Sequence, residues 1–340
     1  MKASRYLIFI LSLAACHKKT DNIVVTTFAG NGIMKLADGN GVQASFGNLM
    51  GITVDANGNV YVADSHNNVI RKINPGGEVT TLAGSGTQGA ADGKGREASF
   101  FYPTGITVDK NGNLFVCDTH NNLIRKISPD GVVTTISGKR RGNDSLAFDN
   151  PAGIAVDVNG NLYVGDWGND VVKKISPAGA VTNYAGTFGV PGSKDGMGDS
   201  ASFYLPWGIA VDSPGNIYVS DFNNNMIRKI SAAGRVTTIA GRRGKGAVDG
   251  PCALASFFHP AGIAIDKQNN IYVADMGNNK IRKISSKGMV TTLAGSGIRG
   301  SSDGRDTMAS FNRPYGIALD TNGSLYVADY LNNVVRKITY

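Results

Sequence analysis

The sequence predicts an all-β fold, a six-bladed β-propeller of four-stranded blades. Three observations point there. The phrase "YVADSHNNVIRKI" at 61–73 returns five more times. The returns keep a near-constant interval, and no window carries the apolar period of a helix. Aligned on their Gly-Ile steps, the copies begin at Gly51, Gly105, Gly153, Gly208, Gly262 and Gly316, with spacings of 54, 48, 55, 54 and 54 residues.

Each copy reads as four short strands. In the first, "GITVD" (51–55) turns through "ANGN" into "VYVAD" (60–64). A polar knot leads to "VIRKI" (69–73), and "NPGGE" forms a hairpin into "VTTLAG" (79–84). β-Branched and aromatic residues fill the strands, while Asn, Asp and Gly fill the turns. Four strands repeated at a fixed period make propeller blades. The sixth copy stops at Tyr340, one strand short, and "VVTTFAG" at 24–30 is a fourth strand with no blade of its own. The N-terminal strand is therefore expected to complete the last blade, which leaves no unpaired sheet edge in the ring.

Ahead of that strand, Lys2 and Arg5 precede a ten-residue apolar run, Tyr6 to Ala15, too short to span a bilayer. The run ends in "LAAC", which resembles the bacterial lipoprotein box, with Cys16 as the lipidated residue. A plain signal peptide ending near a cysteine is the competing reading. Residues 1–15 are read as a lipoprotein signal peptide, 16–23 as a tether and 24–340 as the propeller. The expected location is the bacterial cell envelope, in the outer membrane of a Gram-negative cell.

The 45 glycines fall mostly at repeat boundaries and act as punctuation. The net charge of +8 becomes +6 once Lys2 and Arg5 leave with the leader, and six basic dipeptides, from Arg71-Lys72 to Arg336-Lys337, recur with the repeat. Beyond Cys16, Cys117 and Cys252 lie in different copies, so no disulfide framework is expected. Cys117 occupies a position held elsewhere by Ala, Gly or Ser and reads as a buried spacer.

The pattern P-x-G-I-x-V-D-x-x-G-N-x-Y-V-x-D-x-x-N-x-x-I-R-K-I resembles the NHL-repeat family of propellers across the mature chain. Loops such as "ADGKGREASF" are similar to those of bacterial secreted forms and teneurin-type NHL domains. The resemblance implies the fold. It leaves activity open, because the family includes binding modules, RNA binders, sensors and a few lyases and lactonases.

Asp64, Asp118, Asp166, Asp221, Asp275 and Asp329 open equivalent turns. They read as acceptors for backbone amides two or three residues on. Asn67, Asn121, Asn169, Asn224, Asn278 and Asn332 are expected to complete those turns in unusual backbone conformations. Each Arg of the basic pairs is expected between blades, against a carboxylate. Five inter-blade loops pair Asp-Gly with "ASF": Asp38 with Phe46, Asp92 with Phe100, Asp195 with Phe203, Asp249 with Phe257 and Asp303 with Phe311. The third loop is cut short. Calcium would need alternating oxygen ligands that these loops lack, so a turn with a Phe wedged between blades is expected.

Six equal copies seldom mean six active sites, so function should sit where the copies differ. The long loops and the Asp-Asn turns should share one face. Its mouth is ringed by Met50, Thr104, Ala152, Trp207, Ala261 and Tyr315, and further out by Asn48, Tyr102, Asn150, Leu205, His259 and Arg313. Neither ring holds a carboxylate. His66 and His120 lie on neighbouring blades, roughly 13 to 15 Å from the axis at the usual strand spacing, too far apart to share a metal, and are assigned to the surface.

The candidate ligand-binding residues are therefore Trp207, Tyr315, Tyr102, Arg313, His259, Asn48 and Asn150, with Trp207 and Arg313 taken to lie outside the blade strands. "KRR" (139–141) and "RRGK" (242–245) add positive charge to this face, as a binding feature or a solvated rim. The expected role is a membrane-tethered binding or scaffold module for a protein, peptide or anionic glycan. It would be a monomer with no cofactor, catalytic residue, metal or nucleic acid. The alternatives are a metal-dependent lyase or lactonase-like hydrolase using the central channel, and a structural or adhesion module of the envelope.

Overall fold

The computed structural model describes residues 22–138 and 144–340. The leader, Cys16 and the basic run at 139–141 lie outside the described residues. Regular structure among the described residues consists of β-strands and short 3-10 turns, arranged in six antiparallel sheets around one axis.

The ring closes as the strand count requires. Val24–Ala29 pairs antiparallel with Val334–Thr339, with Val24 opposite Thr339 and Thr27 opposite Arg336. Val25 and Ala29 are fully buried, so the strand contributes core as well as hydrogen bonds. Five blades also gain a short fifth strand from the preceding loop, such as Gly39–Asn40 against Glu78–Val79. The third blade has four strands, and its loop is the shortened one.

In five blades the innermost strand is longer than the sequence suggested, while in the first it spans only Ile52–Val54. In the second blade this strand runs Pro103–Val108, with a register slip between Pro103 and Ile106. Trp207 and Tyr315 therefore lie inside strands, Pro206–Val211 and Pro314–Leu319, which corrects the placement of Trp207 outside them. Each strand carries its Gly against the neighbouring blade. A Cβ on Gly51 would sit 2.0 Å from the Thr104 carbonyl oxygen, and one on Gly153 2.0 Å from that of Trp207. Only Gly allows such an approach. The axial gap that remains measures about 60 Å³ and is walled largely by these glycines and by isoleucines such as Ile52, Ile154 and Ile263.

The repeated Asp is not a local turn acceptor, and this expectation is corrected. Asp64 Oδ1 accepts the Gly47 amide at 2.7 Å, and its Oδ2 meets Arg71 Nη1 at 2.8 Å. Val69 pairs with Asp64 and Val62 with Arg71, so the Asp and Arg are diagonal cross-strand neighbours on one face. Arg71 also reaches Asp38 of the loop at 2.8 Å, donates to the Ser45 and Ala37 carbonyls, and lies over the Phe46 ring. Phe46 is fully buried between the last blade and the first, beside Val335 and Val60. The loop Asp-Gly and its Phe thus fasten a buried guanidinium. The same set recurs at Arg125, Arg228, Arg282 and Arg336. In the third blade Lys173 replaces it.

The unusual backbone conformation falls one residue later than expected. Asn68, Asn122, Asp170, Asn225, Asn279 and Asn333 have φ near +55°, whereas Asn67 and its equivalents use their side-chain amides to hold the blade Asp. The left-handed residues have a further task. Each accepts a hydrogen bond from a backbone amide of the next blade: Asn68 from Tyr102, Asn122 from Asn150, Asp170 from Leu205, Asn225 from His259, Asn279 from Arg313 and Asn333 from Asn48, all at 2.7–2.9 Å. Six clamps run round the ring without a break.

Candidate functional site

The long loops and the Asp-Asn turns do share a face, because the Asn amides bond loop carbonyls: Asn121 to Gly89, Asn224 to Gly192 and Asn332 to Gly300. The outer ring of the mouth is built by backbone. Asn48, Tyr102, Asn150, Leu205, His259 and Arg313 all have φ between 49° and 56°. The clamps described above hold their amides, which fixes where their side chains start.

Aromatic residues of several blades meet at the mouth. Trp207 of the fourth blade meets Tyr315 of the sixth, ring centroids 5.2 Å apart and edge to face. Tyr315 packs on Tyr330 at 5.1 Å, and the Tyr330 hydroxyl lies 3.4 Å from that of Tyr102 in the second blade. On its other side Trp207 touches Trp167 and Phe222, each at 6.1 Å, and Phe222 stacks on His259 at 4.6 Å. Tyr102 stacks on His120 at 4.7 Å. These contacts cap the axial gap with a continuous aromatic layer, and edge-to-face and offset contacts of this kind add stability beyond burial.

Of the residues singled out in the sequence, Trp207, Tyr315, Tyr102 and His259 come together here. Arg313 lies exposed beside His259 and raises the local potential. Asn48 and Asn150 belong to the same ring of left-handed residues, and the Asn150 side-chain amide donates to Asp149. His120 is exposed, as assigned, yet it belongs to the mouth. Trp167, Phe222 and Tyr330 were missed. Each follows a blade Asp directly, at a position held elsewhere by Ser65, Thr119 and Met276. That variation was the available signal. The large members fall in blades three, four and six.

Partial desolvation beside the neighbouring rings lowers the His120 imidazole from the usual histidine range, although its side chain stays exposed. His259 is lowered by desolvation first and by the Arg313 charge second. The neutral imidazole is favoured in both. Burial and then Tyr330 push Tyr315 upward, so its phenol stays protonated. The layer is therefore neutral, polarisable and able to donate hydrogen bonds. Among the described residues nothing accepts a hydrogen bond from the buried Trp167 Nε1. Among the described residues no three His, Cys, Asp or Glu converge as metal ligands. Cys117 is buried as a spacer between blades and Cys252 is half-buried, both with free thiols.

A closed propeller with an aromatic cap over its axis defines the class, and its repeats identify the family. The NHL-repeat model matches residues 46–73, 100–127 and 203–230, and the teneurin NHL domain model matches 242–303. The chain is an NHL-repeat β-propeller. It is 29% identical over 332 residues to NHL repeat-containing protein 2 of Gallus gallus, covering 84% of this chain and 46% of that protein, so it spans about half the relative's length. By structure it resembles an auxiliary nutrient binding protein of Bacteroides thetaiotaomicron, with a TM-score of 0.73, 20% identity, and coverage of 94% and 77% of the two chains. It also resembles the virginiamycin B lyase of Staphylococcus aureus, with a TM-score of 0.57, 18% identity, and coverage of 86% and 95%. At those identities the likeness is one of fold.

Proposed function

We propose that this propeller is a non-catalytic binding module, tethered to the cell envelope through Cys16, that holds a protein, peptide or anionic glycan on its aromatic mouth. The observation that carries this is the edge-to-face contact of Trp207 in the fourth blade with Tyr315 in the sixth. It places an aromatic cluster where three other blades have only Thr104, Ala152 and Ala261. Aromatic faces suit sugar rings and peptide side chains. Around this cluster, Lys35, Arg242, Arg243, Lys245, Arg299 and Arg313 are exposed, while loop carboxylates such as Asp38 and Asp303 are engaged by buried arginines. The exposed loop cations then favour an acidic ligand. The resemblance to a nutrient binding protein supports a binding role.

The tether fits the same arrangement. The first strand begins at Val24 beside Thr339, on the hairpin side of the disc, so an anchor there turns the mouth away from the membrane. Catalysis in the channel is disfavoured by its lining, largely glycine and isoleucine, which holds no carboxylate, histidine or cysteine.

Both tryptophans of the chain, Trp167 and Trp207, lie in the mouth. Titrating residues 22–340 with heparin fragments and with an acidic peptide library should shift their fluorescence saturably for at least one probe. A flat response to all of them would refute the mouth as the binding site. In the full chain, Cys16→Ser should release the protein from membranes or leave an uncleaved precursor. Unchanged mass and fractionation would remove the anchor.

A further inference from the structure

The opposite face, where the hairpins lie, carries a groove between the fifth and sixth blades with a volume of about 510 Å³. Its walls depart from the repeat in two places. The first is Asp320. In the other five blades the equivalent Asp uses Oδ1 to hold its turn and gives Oδ2 to an Asn side-chain amide: Asp55 to Asn59, Asp109 to Asn113, Asp157 to Asn161, Asp212 to Asn216 and Asp266 to Asn270, at 2.7–2.8 Å. In four of these a Tyr hydroxyl also donates to Oδ2. The sixth blade has Ser324 in place of the Asn. Asp320 Oδ1 still accepts the Asn322 and Ser324 amides, at 2.9 and 2.8 Å, but among the described residues nothing reaches Oδ2. Asp320 lines the groove.

The second departure is Tyr340, which follows the last strand and closes one side of the groove. Its hydroxyl donates to Tyr272 at 2.9 Å, and Tyr272 in turn donates to Asp266 at 3.1 Å. The Lys283 ammonium lies over both rings, 5.5 and 6.0 Å from their centroids. The ring is therefore held in place, not loose on the surface. Lys267 lines the same space.

We infer that this groove is a saccharide subsite, separate from the mouth. The free carboxylate oxygen of Asp320 needs a donor, and the lysine ammonium groups need acceptors. A hydroxyl serves as both. The Tyr340 ring offers a flat face for the C–H side of a pyranose. A free metal ion is a poorer fit, because Asp266 has already given its oxygens to the protein and one unpartnered carboxylate oxygen is too few. An amine ligand would meet Lys267 and Lys283. The volume suits a mono- or disaccharide.

The probes are cellobiose, N-acetylglucosamine and glucuronate, measured by saturation-transfer NMR and calorimetry on residues 22–340. At least one should bind saturably without changing the tryptophan fluorescence. Ser324→Asn gives the sixth blade the residue that the other five have, and its amide should occupy Asp320 Oδ2. It should weaken binding about tenfold, the scale of a hydrogen bond to a charged group, with the melting temperature held or raised. Tyr340→Ala, beyond the last strand, should weaken binding with the fold intact. No saturable binding of any probe, undiminished binding by both Ser324→Asn and Tyr340→Ala, or binding that always moves the tryptophan fluorescence would each overturn the subsite.

Discussion

Lys173 Nζ lies 2.9 Å from Asp166 Oδ2, fully buried, where five other blades place an arginine. The lysine meets one carboxylate and the Ala147 carbonyl. Arg282 meets Asp275 and Asp249, at 2.7 and 2.5 Å, and two carbonyls besides. Removing either cation strands a buried carboxylate, which costs about 3–5 kcal/mol. Arg282→Ala should be the worse of the two, because it also releases the Asp249 loop. Urea unfolding of both variants tests this. Equal midpoints for the wild type and Arg282→Ala would show that the pair adds nothing.

The clamp of the third blade uses Asp170 where the others use Asn. Burial raises its carboxyl above the ordinary range, and the single Leu205 amide offsets this only in part. The folded state then binds the proton more tightly than the unfolded chain. Stability from this group is fullest below the ordinary carboxylate value and falls as pH rises through the folded one. Asp170→Asn restores the clamp of the other five blades. It should melt higher than the wild type at pH 7, with the gap shrinking towards pH 4. A gap that widens on acidification would contradict the sign.

Removing residues 22–30 opens the ring. The truncated chain loses the partner of Val334–Thr339 and the buried Val25 and Ala29, and exposes a strand edge. Calorimetry should show loss of the single cooperative transition, and light scattering should show aggregation. A truncated protein that melts like the longer one would break the link between closure and stability.

At the mouth, two substitutions should separate packing from binding. Arg313 is exposed, so Arg313→Ala should change stability by less than about 0.5 kcal/mol while weakening an acidic ligand. Trp207 sits in a strand and packs on three aromatic neighbours. Trp207→Ala should therefore lose about 3–5 kcal/mol of stability, the range for large aromatics cut to Ala, together with binding. If Trp207→Ala destabilises but binds normally, the tryptophan is only a plug over the axis.

The fold was legible because the sequence repeats itself. A missing strand at one end and a spare one at the other describe a closed ring without any three-dimensional information. The partners of Asp64 were not legible in the same way. Its link to Arg71, seven residues on, depends on the hairpin register, and its link to Gly47 depends on a loop folding back. Trp207 and Tyr315 stood out as large residues among small ones. Trp167, Phe222 and Tyr330 did not, because their turns were compared by the invariant Asp and Asn that flank them. Asp320 differs from its five counterparts only through a neighbour, Ser324, and the consequence appears once the amide's usual destination is known.

The glycines at the axis have one further effect. With Gly51 and its five counterparts pressed against neighbouring carbonyls, the inner strands of adjacent blades touch backbone to backbone. A side chain added at any one of the six would push two blades apart, so the axis behaves like a stone arch in which the fit of each member is set by all the others.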